Sequence, residues 1–346
     1  MDKIGNKSSP KRRVLSALFG GTVDKTPVTS IGACGGTVTV DMQKAVGVHW
    51  PEAHRDPEKM AKLAIASYNL TGIENVRVPF DFVVEAEALG GEIKWVDKAD
   101  AVPSVSKHPF KSPADFTKPD NFLEAGRIPV VLESIKLIRE EVGDYLPITG
   151  TVVGPLSLGG ELVGITNLLM WLIRKPDNVK QLVDFTSEII LEFCKAQYRW
   201  GADIVQVAEP TASLSMISPP MFRGYAQPAL TKLANNLGGL KVLHICGRTL
   251  QIVSDMAKTG FDGLSLEEDI AQVKQLSGDV KVLGNISSSK TLIFGSPDEV
   301  KAEAKKALEA RVDLLEPNCG ISPITPLANI KAMVEARDEF FADKSI

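Results

Sequence analysis

The chain has 346 residues, of which 44% are hydrophobic and 24% charged, and a formal charge of −4. That is the balance of an ordinary globular enzyme, and the small negative charge offers nothing to nucleic acid or to an anionic membrane surface. The longest apolar stretches fall short of a bilayer span; the run 168–173 stops at Arg174-Lys175-Pro176. Residues 1–13 are polar and basic with no apolar run behind them, so no signal peptide is expected. Four cysteines (Cys34, Cys194, Cys246, Cys319) without an export signal predict reduced thiols in a cytoplasmic protein rather than disulfides.

Residues 1–11 read as a flexible polar lead, followed by a short amphipathic helix, 12–19, closed by Gly20-Gly21. Alternation over 26–31 predicts a strand running into the loop Gly32-Ala33-Cys34-Gly35-Gly36. Helix 57–70 leads to strand 75–79, whose end carries Asp81. A small hairpin-like excursion follows through Gly90-Gly91 and 93–96, and 102–127, rich in Pro, Lys and Asp, reads as an irregular connection. Helix 129–142 precedes strand 147–153, and a long helical region, 158–200, breaks at Pro176. Strand 203–208 ends at Glu209-Pro210 and is followed by helix 219–236, strand 241–245 and helix 249–259. Strand 263–266 ends in Glu267-Glu268; strand 281–285, helix 296–310, strand 313–315 and helix 326–341 complete the chain. About eight strands alternating with helices predict an α/β protein: one (β/α)8 TIM barrel over 1–346, with extra N-terminal helices and a small excursion after the second strand.

His244 and Cys246, two apart at a strand end, share a face because side chains alternate along a strand. The end of such a strand is the usual address for chemistry in a barrel. A second strand ends in Asn318-Cys319-Gly320. If the barrel closes, His244, Cys246 and Cys319 supply one imidazole and two thiolates, a catalytic zinc set with one position open. Such a metal holds a substrate thiol as its nucleophilic thiolate, giving an S-alkylated product, although composition does not name the alkyl donor. Cys34 and Cys194 are read instead as small buried hydrophobes. Asp81, Glu209, Glu267 and Glu268 could orient substrate, act as a base or fill a fourth metal position; each is equally readable as a structural cap. Arg248 could hold an anionic tail such as a sulfonate or carboxylate, or stand as a solvated arginine. Residues 284–289 sit where barrels bind phosphate, but they lack a lysine inside the glycine turn and read as a helix N-cap. Trp171 and Trp200 read as core or interface.

His244-Ile245-Cys246-Gly247, together with Glu316-Pro317-Asn318-Cys319-Gly320-Ile321-Ser322-Pro323-Ile324-Thr325-Pro326, resembles the uroporphyrinogen decarboxylase superfamily. Within it the chain is similar to the methylcobamide:coenzyme M methyltransferases. The likeness runs over nearly the whole chain and takes in Asp24-Lys25-Thr26-Pro27-Val28, Trp50-Pro51-Glu52-Ala53-His54 and Arg77-Val78-Pro79-Phe80-Asp81. It implies that His244, Cys246 and Cys319 bind zinc, and that zinc binds the thiol of coenzyme M. It further implies that the thiolate attacks methyl-Co(III) corrinoid brought by a separate carrier protein, leaving Co(I) and a thioether. Porphyrin decarboxylation is not expected, since decarboxylases carry paired arginines after the first strand and His where this chain has Cys319. Two positions depart from the coenzyme M enzymes, which have Thr-Gln-Thr-Gly in the first loop and Asn after the Cys-Gly pair. Here those positions read Gly32-Ala33-Cys34-Gly35 and Arg248. Both would face the acceptor, so tetrahydrofolate stands as the alternative to coenzyme M. The reverse direction, a methyl donor alkylating Co(I), is a further alternative, and so is a zinc-storing scaffold without turnover. A corrinoid carrier is disfavoured, because the chain lacks an Asp-x-His-x-x-Gly motif.

Overall fold

In the computed structural model, which describes residues 8–34 and 36–342, the chain enters through a helix, Pro10–Leu18. Residues 1–7 of the expected lead, and Gly35 of the first loop, lie outside the described residues. Pro10 and Lys11 belong to the helix rather than to a lead: Ser9 caps it, accepting from Arg12 N, and Pro10 sits where its missing N–H costs nothing. The helix buries Val14, Ala17 and Leu18 against Ile204, Leu240, Val242, Leu283 and Leu314. It thereby plugs the N-terminal end of the barrel.

The strands are β1 Val76–Val78, β2 Glu92–Lys94, β3 Ser104–Lys107, β4 Ile148–Val153, β5 Ile204–Ala208, β6 Leu240–His244, β7 Gly263–Ser265, β8 Lys281–Ile286 and β9 Leu314–Pro317. Among the described residues β1 and β4 to β9 form one parallel sheet in chain order, while β2 and β3 make a separate antiparallel hairpin. β4 and β5 are buried along their whole length, as strands covered by helices on one side and barrel interior on the other must be. The eighth member is thin. Val28 bridges Leu315 in parallel, Thr29 N donates to Leu315 O and Leu315 N to Pro27 O (2.9 Å each), and Glu74 N donates to Val28 O at 2.7 Å. Segment 27–29 therefore lies between β9 and the start of β1 and closes the (β/α)8 TIM barrel.

The expected strand over 26–31 shrinks to this bridge for a stated reason. Pro27 has no N–H to give, and apart from Thr29 N the next donors go to side chains: Val28 N to Glu74 (2.9 Å), Ser30 N to Asn75 (2.8 Å) and Ile31 N to Glu316 (2.7 Å). Other expectations also need correction. The irregular connection contains strand β3, which pairs with β2 across a longer loop than a tight hairpin would need. The long helical region has a second break at Gly164, whose φ of +85° ends helix Pro155–Val163 before Ile165–Arg174 begins. Residues 284–289 do not cap a helix: the next one, Thr291–Phe294, begins after Lys290 and has no side-chain cap. Among the described residues no single helix is long and apolar enough to cross a membrane.

Glu74 ties the closure together. Its carboxylate meets Arg13 of the first helix, Arg337 of the last helix (2.9 Å) and Val28 N, all of them buried. Removing it leaves two buried guanidinium groups short of their counter-charge. Glu74→Ala is expected to lower unfolding free energy by about 3–5 kcal/mol in a denaturant titration. A loss below about 1 kcal/mol would show that the closure does not depend on it.

Candidate metal centre

Inside the barrel the side chains stack in layers, because alternate residues of each strand point inward. Leu240 and Val242 of β6 belong to the apolar layers, and the next inward residue is His244. At that height the lining turns polar: Arg77, Gln206, His244, Ser265 and Glu316 are all buried there. His244 pairs in register with Ser265, whose Oγ lies 3.1 Å from Nδ1. The opposite nitrogen, Nε2, is buried with no hydrogen-bond partner among the described residues. A metal ion in place of its proton would give that nitrogen a partner.

Beyond β6 the chain turns at once. Gly247 has a φ of +70°, and its N–H donates to Glu267 at 2.7 Å, which holds Cys246 over the mouth. Beyond β9, Asn318 N donates to Ile286 O (2.8 Å) and its side chain accepts from Ser288, fixing the approach to Cys319. The ligand atoms of Cys34, His244, Cys246 and Cys319 all lie within 4.8 Å of one another. The reading of Cys34 as a small hydrophobe is therefore corrected: it faces the trio. Cys194 keeps that reading, fully buried in helix Pro176–Trp200.

Cys34 comes to the cluster through close backbone approaches. A Cβ on Gly320 would stand 1.7 Å from Cys34 O, and one on Gly32 would stand 2.0 Å from Ser265 Oγ. Glu316 holds the loop from below, accepting from Thr29 Oγ1, Ile31 N and Gly32 N. Glu316 and Arg77 stood in the sequence only as parts of motifs, and Ser265 was not singled out. The available signal for Cys34 was its position just past a predicted strand.

The electrostatics suit anionic sulfur. Burial works against a proton on His244, but its contacts to Cys246 and Cys319 outweigh this and raise its pKa to about 10. Cys319 is held far below the ordinary thiol value by hydrogen bonds from Cys246 and Cys34 and by His244, while those same contacts push Cys34 well above it. Burial lowers Arg77 to about 10 against the pull of Cys34, Glu316 and Cys319, so it stays cationic at neutral pH. Three sulfurs and one imidazole nitrogen could hold zinc. A zinc–thiolate tetrahedron has edges of about 3.8 Å, so shifts of about an ångström or less would close these donors on a metal.

None of the carboxylates named from the sequence joins this cluster among the described residues. Asp81 is buried against Arg127 (2.8 and 3.0 Å) and His54 (2.8 Å), with Arg55 and Arg127 stacked on Trp95. Glu209 accepts from Leu156 N (2.9 Å), Ser157 N (2.7 Å) and Ser157 Oγ, capping helix Pro155–Val163. Burial lifts its pKa to about 7 against those hydrogen bonds. Glu268 accepts from Thr249 N (2.6 Å) and Leu250 N (2.9 Å), at the start of helical turn Leu250–Ile252. Arg248 donates to Leu214 O at 3.1 Å and, with Glu268, Leu214, Ile217 and Leu250, lines a cavity of roughly 350 Å³.

Fold and cluster together define a parallel (β/α)8 barrel with a thiol–imidazole cluster at the carboxyl ends of its strands. The chain belongs to the uroporphyrinogen decarboxylase (URO-D) family, whose model matches residues 9–340. It is 45% identical over 337 residues to the methylcobamide:CoM methyltransferase MtaA of Methanosarcina barkeri, covering 96% of this chain and 98% of that one. It is 37% identical over 342 residues to the methylcobamide:CoM methyltransferase MtbA of Methanosarcina mazei, with the same coverage. A solved methyltransferase structure from Methanosarcina mazei superposes with a TM-score of 0.92 at 43% identity, covering 96% of this chain and 99% of that one.

The Asp81 network gives a pH-dependent prediction. Burial alone would raise the Asp81 pKa, but Arg127 and His54 hold it far below the ordinary 3.8. A lowered folded-state pKa means stability that is fully present above about 4 and lost as pH falls below it. Asp81→Asn should therefore cost about 3 kcal/mol at pH 7, and the gap to the unaltered protein should shrink at pH 3. Denaturant midpoints at the two pH values check this; a constant gap would contradict the ionic account.

Proposed function

We propose that this chain is a zinc-dependent methyltransferase. It would move a methyl group from a methylated corrinoid, delivered on a carrier protein, to a thiol, with coenzyme M as the acceptor. The observation that carries the reading is the meeting of His244, Cys246 and Cys319 donor atoms in a chain 45% identical to a methylcobamide:CoM methyltransferase.

His244 Nε2 and the sulfurs of Cys246 and Cys319 would hold the metal. When bound, zinc supplies a Lewis acid that keeps a substrate thiol ionised at neutral pH. Ser265 Oγ would accept a hydrogen bond from Nδ1–H of His244, which directs Nε2 to the metal. Gly247 and Glu267 fix Cys246, and Asn318 fixes Cys319, so the acceptor sulfur meets a prepositioned site. The acceptor, its thiol proton already lost, attacks the methyl carbon in line with the cobalt–carbon bond. A sulfur–carbon bond forms, the cobalt–carbon bond breaks, and its electron pair stays on cobalt. Arg248, at the rim of its cavity, offers a guanidinium to the acceptor's anionic tail.

Alanine at His244, Cys246 or Cys319 is expected to remove zinc and to lower methyl transfer from methylcobalamin to coenzyme M about 100-fold or more. Stoichiometric zinc in all three variants would sink the ligand assignment, and turnover with tetrahydrofolate but not with coenzyme M would overturn the acceptor. Arg248→Ala should raise KM for coenzyme M about tenfold with zinc content unchanged. An unchanged KM would return Arg248 to the role of a solvated side chain.

A further inference from the structure

The trio accounts for three donors, yet a fourth sulfur lies among them. Cys34 Sγ falls within the same 4.8 Å limit as the other three donors, and nothing in the mechanism above uses it. Its approach is specified by several separate features. Glu316, three residues before Cys319 on β9, fixes Thr29, Ile31 and Gly32 just ahead of Cys34. Gly32 and Gly320 each lack the Cβ that would collide with Ser265 Oγ and with Cys34 O. Ser265, which faces Gly32, is also the partner of His244 Nδ1. Ser265 thus serves both: it is the partner of His244 and borders the turn that seats Cys34.

Cys34 is built differently from the three donors it joins. His244 ends β6, and Cys246 and Cys319 each stand two residues beyond a barrel strand. Cys34 stands past the thin closing segment, and among the described residues no helix or strand separates it from helix Val40–Val46. Three donors are held on the barrel frame, and the fourth is held on a loop.

We propose that Cys34 is a fourth, exchangeable zinc ligand that closes the resting site as a Cys3His centre and gives up its place to the incoming acceptor thiol. The proposal rests on the zinc reading of the trio. Zinc in proteins keeps four ligands, and a closed Cys3His set is otherwise a structural arrangement. Exchange of one thiolate for another reconciles a full tetrahedron with a site that must take a substrate. The step balances: the zinc–sulfur bond to Cys34 breaks, one to the acceptor forms, and the acceptor's thiol proton passes to the Cys34 sulfur. Coordination number and net charge at the metal are unchanged. The loop position of Cys34 lets it withdraw without moving the barrel.

The test is zinc-edge X-ray absorption on the zinc-loaded full chain, with zinc content measured alongside. The unaltered protein should show three sulfurs and one nitrogen, before and after addition of coenzyme M. Cys34→Ala and Cys34→Ser should keep about one zinc per chain and show two sulfurs, rising to three with coenzyme M. Two sulfurs in the resting unaltered protein would overturn the role of Cys34 while leaving the trio intact. Three sulfurs rising to four would overturn exchange. Absence of zinc from the unaltered protein would remove the reading on which the proposal rests.

Discussion

The carboxylate of Glu316 holds together the closure of the barrel and the geometry of its mouth. It is fully buried, and burial pushes its pKa up even though its oxygens accept from Thr29 Oγ1, Ile31 N and Gly32 N. A buried acceptor of this kind is tolerated because its lone pairs are satisfied. The segment it grips would otherwise be a poor strand, since Pro27 cannot donate and its neighbours find few ladder partners. Glu74 and Asn75 hold the same segment from the β1 side, and Leu315 from the β9 side. The ring is thus closed as much by side chains as by backbone.

That closure has a chemical consequence. Glu316 and Cys319 are three residues apart, so the clamp that closes the barrel also draws the first loop over the sulfur of Cys319. His244 comes from the far side on β6, oriented by Ser265 on its neighbour β7. Charge is distributed to suit this. Asp81, Glu87 and Arg127 form one buried network, Glu74, Arg13 and Arg337 another, while Arg77 stands beneath the sulfurs as a cation. In the first two networks every charged group has an oppositely charged partner. The mouth keeps one imidazole among three cysteine sulfurs.

The barrel was legible in the sequence because apolar runs and helical periods alternate along the chain, and tertiary packing agrees with that local pattern. His244, Cys246 and Cys319 were legible for a related reason: they sit at strand ends, and the period of two gives their facing. Cys34 was legible only as part of a loop facing the acceptor, because what brings its sulfur to the trio is non-local. A missing Cβ at Gly320 and the reach of Glu316 carry no signature in the residues around position 34. The strand-end carboxylates were readable two ways, as substrate groups or as caps. Glu209 and Glu268 stand where substrate groups stand in barrels, but both accept from backbone N–H groups at the starts of helices. Alternation tells where a carboxylate lies and not which donors already surround it. The same limit hid strand β3, whose partner β2 lies across a loop rather than a two-residue turn.

The central claim is that one metal sits among His244, Cys246 and Cys319, and anomalous diffraction at the zinc edge from crystals of the full chain tests it most directly. The account predicts a single strong peak about 2.0 Å from His244 Nε2 and about 2.3 Å from each of the two sulfurs. No peak between these side chains, in protein that transfers methyl groups to coenzyme M, would contradict it.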